Sequence, residues 1–199
     1  MDVFEAIATT RAMRRLDPNR DVSDADLLKI VEAATKGPSG SNSQPTRWLV
    51  VKDAEKRKKL GEIYQKCWEP VREMYKATAV EGDTARILRS ADYLGDHMGE
   101  APALIIPCSA GQPGQVESSV FGCVQNLFLA ARALGLGTTL TTVHRLREAE
   151  VKEVLGVPED VSTWALIPVG YPLGKWGEAV RRPVAEVTYW DTWKSPPPA

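Results

Sequence analysis

The most restrictive feature of this sequence is residues 37–45, GPSGSNSQP, in which nearly every side chain is small, hydroxylic or an amide. Such a run lacks core-forming side chains, so it predicts a loop that offers backbone groups and a few polar tips. Ser23 and Asp26 form a capping-box pattern at the start of a preceding helix, and Gly37 stands where that helix should end. Residues 48–51, WLVV, predict a buried strand after the loop. Taken alone, this segment favours an ordinary helix-to-strand connection; the alternative is the recognition of a flat ring with a heteroatom edge.

The composition favours one soluble globular domain over residues 1–199. Hydrophobic residues make up 43% and charged residues 26% of the chain, as in an ordinary globular protein with a sizeable core. With 25 basic and 26 acidic side chains the net charge is -1, so nothing draws the whole chain to nucleic acid or to an anionic membrane. The N-terminus does not resemble a signal peptide, and no run of about 18 apolar residues occurs. We therefore expect a cytoplasmic protein with neither membrane nor nucleic-acid partners.

The sequence contains few residues that bind metals or act as catalytic nucleophiles. Cys67, Cys108 and Cys123 are far apart and form no CxxC pair, so we expect reduced, mostly buried thiols. His97 and His144 are the only histidines and lack metal-ligand spacing, so no metal site is expected. The GxSxG, GxxxxGK[ST] and GxGxxG motifs are missing from the sequence. Those gaps argue against the commonest hydrolase, P-loop and Rossmann functions.

Hydrophobic periodicity predicts an α+β fold, with a mainly antiparallel or mixed central sheet flanked by helices. Around residues 68–100 we expect a helical excursion carrying Trp68, Tyr75 and Tyr93, which either lines a substrate cleft or forms a surface helical pair. Residues 109–115 are expected to be a loop. Helices are predicted at residues 2–9, 23–36, 120–134 and 147–155, and a further helix is predicted from residue 53 until Pro70 interrupts it. Strands are predicted at residues 48–51, 103–108 and 164–170, and a strand or extended segment at residues 137–143.

The C-terminal residues, at about 179–199, are unusual for a chain end. Residues 179–193 show the alternation of apolar and polar side chains that is typical of a strand, and they finish with Trp190 and Trp193 before a proline-rich tip. Aromatic side chains near a terminus are rarely left in water. We therefore predict an extended arm that lies across another surface, such as a second subunit.

Arginines occur in two groups at opposite ends of the chain. Arg11, Arg14 and Arg15 would share a face if their turn were helical, and Arg181 and Arg182 lie near the other end. Such a run can be a solvated basic face. If the two groups of arginines converge, however, the N–H donors of their planar guanidinium groups would form a phosphate site. The polar loop could then bind the edge of a ring through Asn42 and Gln44, and since no convincing acid–base pair is present, a cofactor would carry the chemistry.

Five motifs in order, TTRAMRRLDP, GPSGSNSQP, ALGLGTTLTT, IPVGYPLG and RRPVAEVTYW, run across nearly the whole chain. Together they resemble the FMN-dependent nitroreductase family. This resemblance implies a homodimeric α+β flavoprotein that binds FMN at the subunit interface and takes electrons from NADH or NADPH in a ping-pong cycle through flavin N5. It also implies acceptors such as nitroaromatics or quinones, and no catalytic side chain beyond the cofactor.

The resemblance also assigns roles to residues of this chain. Arg11 and Arg15, with Arg181 and Arg182, would hold the phosphate, and Arg14 would lie near the ribityl chain or the pyrimidine side. Ala12 replaces a serine that binds phosphate in many relatives, and the tryptophan that often follows QP is displaced to Trp48. The other implied cofactor-binding residues are Pro38, Ser39 and Asn42 from the partner subunit, Gln44 beside them, and the backbone amides of Thr139, Leu140 and Thr141.

Two other functions remain open at this stage. The chain could bind or sequester FMN without turnover, with its cleft closed by the excursion at residues 68–100. It could also be a specialised member of the family that reduces one dedicated substrate, such as a halogenated aromatic or an enone. The aromatic residues of the excursion do not decide between these functions, because aromatic side chains at helical spacing are commonly core residues.

Overall fold

The computed structural model describes residues 1–78, 82–110 and 116–198, and it confirms the α+β class. Its helices are α1 (Val3–Thr9), α2 (Asp24–Thr35), α3 (Ala54–Thr78), α4 (Asp83–His97), α5 (Glu117–Ala133), α6 (Glu148–Leu155) and α7 (Val184–Val187). Its strands are β1 (Arg47–Val51), β2 (Ala103–Ala110), β3 (Gly137–Thr138), β4 (Val161–Thr163) and β5 (Ile167–Gly170). Three short 3-10 helices, at Gly40–Asn42, Met98–Glu100 and Val143–Arg147, join these elements. None of the described helices is long and apolar enough to cross a membrane.

The strands form one sheet in the order β1-β2-β5-β3, and β4 also pairs with β2. Every strand pair among the described residues is antiparallel. The register places Leu49 opposite Ile106 and Ile105 opposite Ile167. Strand β2 is therefore the centre of the sheet, and its residues are buried along nearly its whole length.

Helices cover both faces of this sheet, and β2 supplies side chains alternately to each face. Leu104 and Ile106 belong to one core cluster, with Leu60 and Tyr64 of α3. Ala103 and Ile105 belong to the other, with residues of α2 and α5 such as Ile30 and Leu127. A strand covered on both faces reads as a continuous apolar run, which is why ALIIPC was recognisable in the sequence. The three cysteines are free and buried, as predicted.

The helix before the polar loop has the predicted cap. Ser23 Oγ accepts the backbone N–H of Asp26 at 3.1 Å, and α2 ends at Thr35. Gly37 does not have the positive φ typical of a glycine that ends a helix. Instead it allows close packing, because a Cβ at Gly37 would lie 2.6 Å from the Sγ of Cys123 on α5. The requirement for glycine therefore comes from α5, a distant part of the chain.

The prediction that Pro70 interrupts its helix was wrong. Helix α3 continues through Pro70 to Thr78. Although proline removes one backbone hydrogen bond, Cys67 and Trp68 pack into the core just before it. Arg72, just after it, pairs with Asp92 and Asp96 of α4 at 2.9 and 2.7 Å. These tertiary contacts hold the helix on both sides of the proline.

The helical turn considered for residues 11–15 and the strand expected in the C-terminal arm were both wrong. Helix α1 ends at Thr9, and Met13 N–H then donates to Thr138 O of β3 at 2.9 Å. That bond to a strand carbonyl places the arginine segment alongside the sheet rather than in a helix. In the arm, the described residues form only the short helix α7, which begins just after Pro183. A strand needs a neighbour for its backbone hydrogen bonds, and none of the described strands pairs with the arm.

Strand boundaries also differ from the sequence-based prediction. The segment predicted at residues 137–143 pairs as a strand only over β3, and β5 begins at Ile167 although Trp164 and Leu166 are fully buried before it. Strand β4 was missed because its VST sequence is too short to show alternation. Ser109 and Ala110 belong to β2, and the remainder of the predicted loop, residues 111–115, lies outside the described residues.

Candidate functional site

A segment near the N-terminus and a segment near the C-terminus lie side by side in antiparallel directions. The N–H of Asp17 donates to Tyr171 O at 2.8 Å, and the N–H of Leu173 donates to Arg15 O at 3.0 Å. Further along, the N–H of Ala179 donates to Ala8 O at 3.0 Å. Residues 8–17 are therefore paired with residues 171–179. The sequence contained no signal for this pairing, since about 160 residues separate its members.

This pairing fixes the three N-terminal arginines in different environments. The guanidinium of Arg11 donates to Lys175 O at 2.6 Å. Arg14 is half-buried, and this burial lowers the pKa of its guanidinium. Arg15 is exposed, with its guanidinium carbon 4.3 Å from the centroid of the Tyr93 ring on α4. The neighbouring Ala12 is also exposed.

The threonine-rich segment after β3 lies next to the arginine segment. Thr139 and Thr141 are buried, whereas Leu140 is 46% exposed. The backbone N–H of Leu166 donates to Thr141 O at 2.9 Å, which ties this segment to the chain leading into β5. Because Met13 bonds to Thr138 O, the structure brings the predicted residues 11–15 and 139–141 into one region.

Tyr64 of α3 completes this region and was not predicted as a site residue. Its hydroxyl lies 2.9 Å from Thr141 Oγ1. Burial raises the pKa of Tyr64, and the positive charge of Arg14 acts in the opposite direction. Tyr64 therefore stays protonated near neutral pH. A polar tip on an otherwise apolar helix face, which needs a partner when buried, was the available signal in the sequence.

The polar loop at residues 37–45 is strained and anchored to α5. Ser41, Asn42 and Gln44 have φ of 51, 53 and 46°, a conformation that costs free energy for residues other than glycine and is common at functional sites. The N–H of Gly40 donates to Ser119 Oγ of α5 at 3.2 Å.

Within this loop the predicted site residues bond to one another. Gln44 Nε2 donates to Asn42 Oδ1 at 3.2 Å, and Gln44 N–H donates to Ser39 Oγ at 3.0 Å. Pro38, Asn42 and Gln44 are exposed. The loop therefore presents amide and hydroxyl groups to the outside of the subunit, in a conformation that its internal bonds hold in place.

The second arginine pair does not meet the first among the described contacts. Arg181 donates to the carbonyl of its own neighbour Val180 at 2.8 Å, and both Arg181 and Arg182 are exposed. The arm that follows them also exposes large apolar side chains. These are Val180, Val184, Val187, Tyr189, Trp190 and Trp193, each at least 43% exposed.

Comparison with known proteins identifies relatives that cover nearly all of the chain. The sequence matches the Nitroreductase family over residues 7–171. A Methanothermobacter thermautotrophicus protein with the provisional name NADH dehydrogenase/NAD(P)H nitroreductase is 31% identical over 178 residues, which cover 86% of this chain and 78% of that protein. An iodotyrosine deiodinase from Thermotoga neapolitana is 32% identical over 176 residues, which cover 86% of this chain and 87% of that protein.

A solved structure gives the same result for the fold. A Desulfovibrio desulfuricans protein, provisionally described as a nitroreductase and crystallised with FMN, superposes with a TM-score of 0.70 at 26% identity. The superposition covers 97% of this chain and 98% of the other. The resemblance drawn from the five motifs is thereby confirmed over the whole fold.

Proposed function

The chain belongs to the nitroreductase family, and we propose that it is an FMN-dependent oxidoreductase that takes electrons from NADH or NADPH. The observation that carries this proposal is the pairing of residues 8–17 with residues 171–179. Together with the bond from Met13 N–H to Thr138 O, it holds the segment that carries Arg11, Arg14 and Arg15 next to the buried threonines after β3. The paired C-terminal segment continues into Arg181 and Arg182. Guanidinium groups next to uncharged hydroxyl and amide donors match a ligand that has a phosphate at one end and a polar ring at the other.

The residues present fit FMN in their chemistry. Arg11 uses one nitrogen on Lys175 O, which leaves other donors of its guanidinium for a phosphate. We propose that Arg11 and Arg15, with Arg181 and Arg182, hold the phosphate, and that Arg14 lies at the pyrimidine side or the ribityl chain. Ala12 contributes no hydroxyl at this position. The backbone amides of residues 139–141 would bind the polar edge of the ring.

A second copy of the chain would complete this site. The residues assigned to the ring, Pro38, Ser39, Asn42 and Gln44, lie in the loop whose internal bonds hold it open to the outside. The exposed apolar side chains of the C-terminal arm support association as well, because such patches mark contact surfaces. We propose a homodimer in which the partner subunit donates this loop.

Bound FMN would supply hydride transfer through its N5 atom, and the side chains would supply binding, orientation and electrostatics. The half-buried positive charge of Arg14 would favour a negatively charged form of the ring at its pyrimidine side. The buried threonines would orient the ring without adding charge. Nitroaromatics and quinones are the acceptors that this family assignment favours.

The experiment is a spectroscopic titration of the purified protein. We expect flavin absorbance, or uptake of added FMN, and anaerobic loss of that absorbance when NADH or NADPH is added. Reoxidation by a nitroaromatic or a quinone would complete the cycle. A protein that takes up no FMN would contradict the proposal, and FMN that no nicotinamide reduces would favour a sequestering protein instead.

A more specialised reaction is favoured by one observation. The Thermotoga neapolitana relative, which matches this chain over most of both lengths, is named an iodotyrosine deiodinase. The corresponding function here would be reductive removal of halide from a halogenated aromatic. Release of iodide from iodotyrosine by the dithionite-reduced protein, faster than reduction of a quinone, would support it; no release would leave the broader reductase function.

A further inference from the structure

Tyr64 and Thr141 form a hydrogen-bonded pair of hydroxyls in the core, next to the arginine segment. Their oxygens are 2.9 Å apart, and the residues are 3% and 8% exposed. They come from α3 and from the segment after β3, which are 77 positions apart in the sequence. The backbone N–H of Val143 also points at Thr141 Oγ1, at 3.4 Å.

A count of protons and lone pairs shows what this pair can offer. Two hydroxyls carry two protons, and the hydrogen bond between them uses one. In the described part of the chain, neither hydroxyl has another recorded acceptor. One O–H is therefore left to donate to a third group. If Tyr64 donates to Thr141, as the N–H of Val143 does, both lone pairs of the Thr141 oxygen are occupied and its proton is the free one.

The acidity of the two groups favours this direction of donation, because a phenol is more acidic than an aliphatic hydroxyl and is therefore the stronger hydrogen-bond donor. Burial holds the Tyr64 ring in the core cluster formed with Leu60 and Leu104. Thr141 lies at the edge of the segment that carries the exposed Leu140. The phenol is therefore the more deeply buried member of the pair, and the threonine is the member next to the exposed Leu140.

We propose that Tyr64 is a positioning residue that orients the Thr141 hydroxyl as a hydrogen-bond donor to the polar edge of the bound flavin ring. The inference rests on the proposed function, because it assumes that the cleft holds a flavin. It adds to that function a side-chain contact by Thr141 and a role for a core tyrosine. The Tyr64 hydroxyl acts through Thr141 and needs no contact with the flavin.

The test measures the affinity of the apo-protein for FMN and for riboflavin, by quenching of flavin fluorescence. Tyr64→Phe removes only the hydroxyl, and it should weaken both affinities by about 2- to 12-fold, the range for one hydrogen bond at about 1.4 kcal/mol per factor of ten. Thr141→Val should weaken both by at least as much, whereas Thr141→Ser keeps the hydroxyl and should bind nearly as the wild type does. In the Thr141→Val background, Tyr64→Phe should have no further effect.

Two further measurements separate this role from a purely structural one. The midpoint potential of the bound flavin should shift in Tyr64→Phe and Thr141→Val alike, because both remove the same donor. Ser109→Ala deletes a buried hydroxyl that accepts the Trp164 Nε1–H at 2.7 Å in another part of the core, and it should leave affinity and potential unchanged. If Tyr64→Phe does not fold, the comparison of Thr141→Val with Thr141→Ser carries the test.

The outcomes distinguish this inference from the proposed function. Wild-type affinity and potential in Tyr64→Phe, or in Thr141→Val, would overturn the inference and leave FMN binding intact. Additive losses in the double variant would also overturn it, because the two hydroxyls would then act separately. If the wild type bound neither flavin, the proposed function itself would fail and the inference with it.

Discussion

The guanidinium carbon of Arg15 lies 4.3 Å from the centroid of the Tyr93 ring. The same ring stacks on His97 at 3.9 Å with an interplanar angle of 7°. A cation–π contact leaves the N–H groups that do not face the ring available to other partners. Tyr93 therefore holds Arg15 in place and leaves it donors for a further ligand.

We expect Tyr93→Leu to weaken FMN binding by about 0.5–2 kcal/mol, the range for a cation–π contact. Tyr93→Phe keeps the ring and should bind as the wild type does. The measurement is FMN titration of the apo-protein, repeated with riboflavin, which has no phosphate. If Tyr93→Leu weakened the two flavins equally, the contact would not act through a phosphate-binding Arg15.

Arg181 and Arg182 are exposed near the point where the C-terminal arm leaves the paired chain ends. Alanine at both positions should weaken FMN binding by about 1.5–3 kcal/mol for each charge-assisted bond that is lost. Riboflavin binding should change little. Lys175→Ala, which removes a nearby exposed charge, is the matched control. Unchanged FMN affinity in the double variant would show that these arginines serve the arm and not the cofactor.

Gly37→Ala should destabilise the fold. The added Cβ would lie 2.7 Å from the Cα of Cys123, and overpacking of this kind costs about 1–3 kcal/mol. Gly40→Ala, in the same loop, is the control because its Cβ would meet nothing within 4 Å. Denaturant unfolding of both variants measures the difference. Equal stabilities would mean that α2 and α5 can separate at no cost.

His144 should make the free energy of unfolding depend on pH. The side chain is fully buried, burial lowers its pKa to about 4, and Nδ1 has no hydrogen-bond partner among the described residues. Between the unfolded pKa, near 6.5, and the folded value, the unfolded chain binds the extra proton. Stability should therefore fall as pH decreases, by about 2 kcal/mol between pH 7 and pH 5.

The measurement is urea unfolding at several pH values, with His144→Gln as the comparison. Glutamine cannot titrate, so the variant should lose most of this slope even if it is less stable throughout. Glu148 accepts hydrogen bonds from Thr163 and its pKa is lowered, so its own effect appears only below about pH 4.5. A wild-type slope that persisted in His144→Gln would assign the effect to other groups.

Local chemistry made much of the fold predictable. Ser23 caps α2, Gly156 adopts a left-handed φ of 68° after α6, and the apolar run of β2 forms the centre of the sheet, with β1 paired to it at the edge. Each of these features depends on residues close together in the sequence. The five motifs identified the family for a similar reason, because their order is itself a property of the linear chain.

The candidate site was predictable only in part. The sequence pointed to Arg11, Arg14, Arg15 and residues 139–141, and the structure brings these together. It did not assign Tyr64 to the site, although a buried tyrosine hydroxyl needs a partner, and it offered Tyr93 only as one aromatic residue of the helical excursion. Local sequence does not show which polar group a tyrosine will contact. The assignments of FMN contacts to individual residues stay predictions, as does the partner subunit's contribution of the polar loop.

The sequence by itself determined most of the helices, the strands β1 and β2, the burial of the thiols, and the family to which the chain belongs. The tertiary structure decided that Pro70 lies inside a helix, that residues 11–15 are held beside β3, and that Gly37 is needed for packing against α5. The physical reason is the range of the interactions. Caps and periodicity act within a few residues, whereas these outcomes depend on contacts between parts of the chain that only folding brings together.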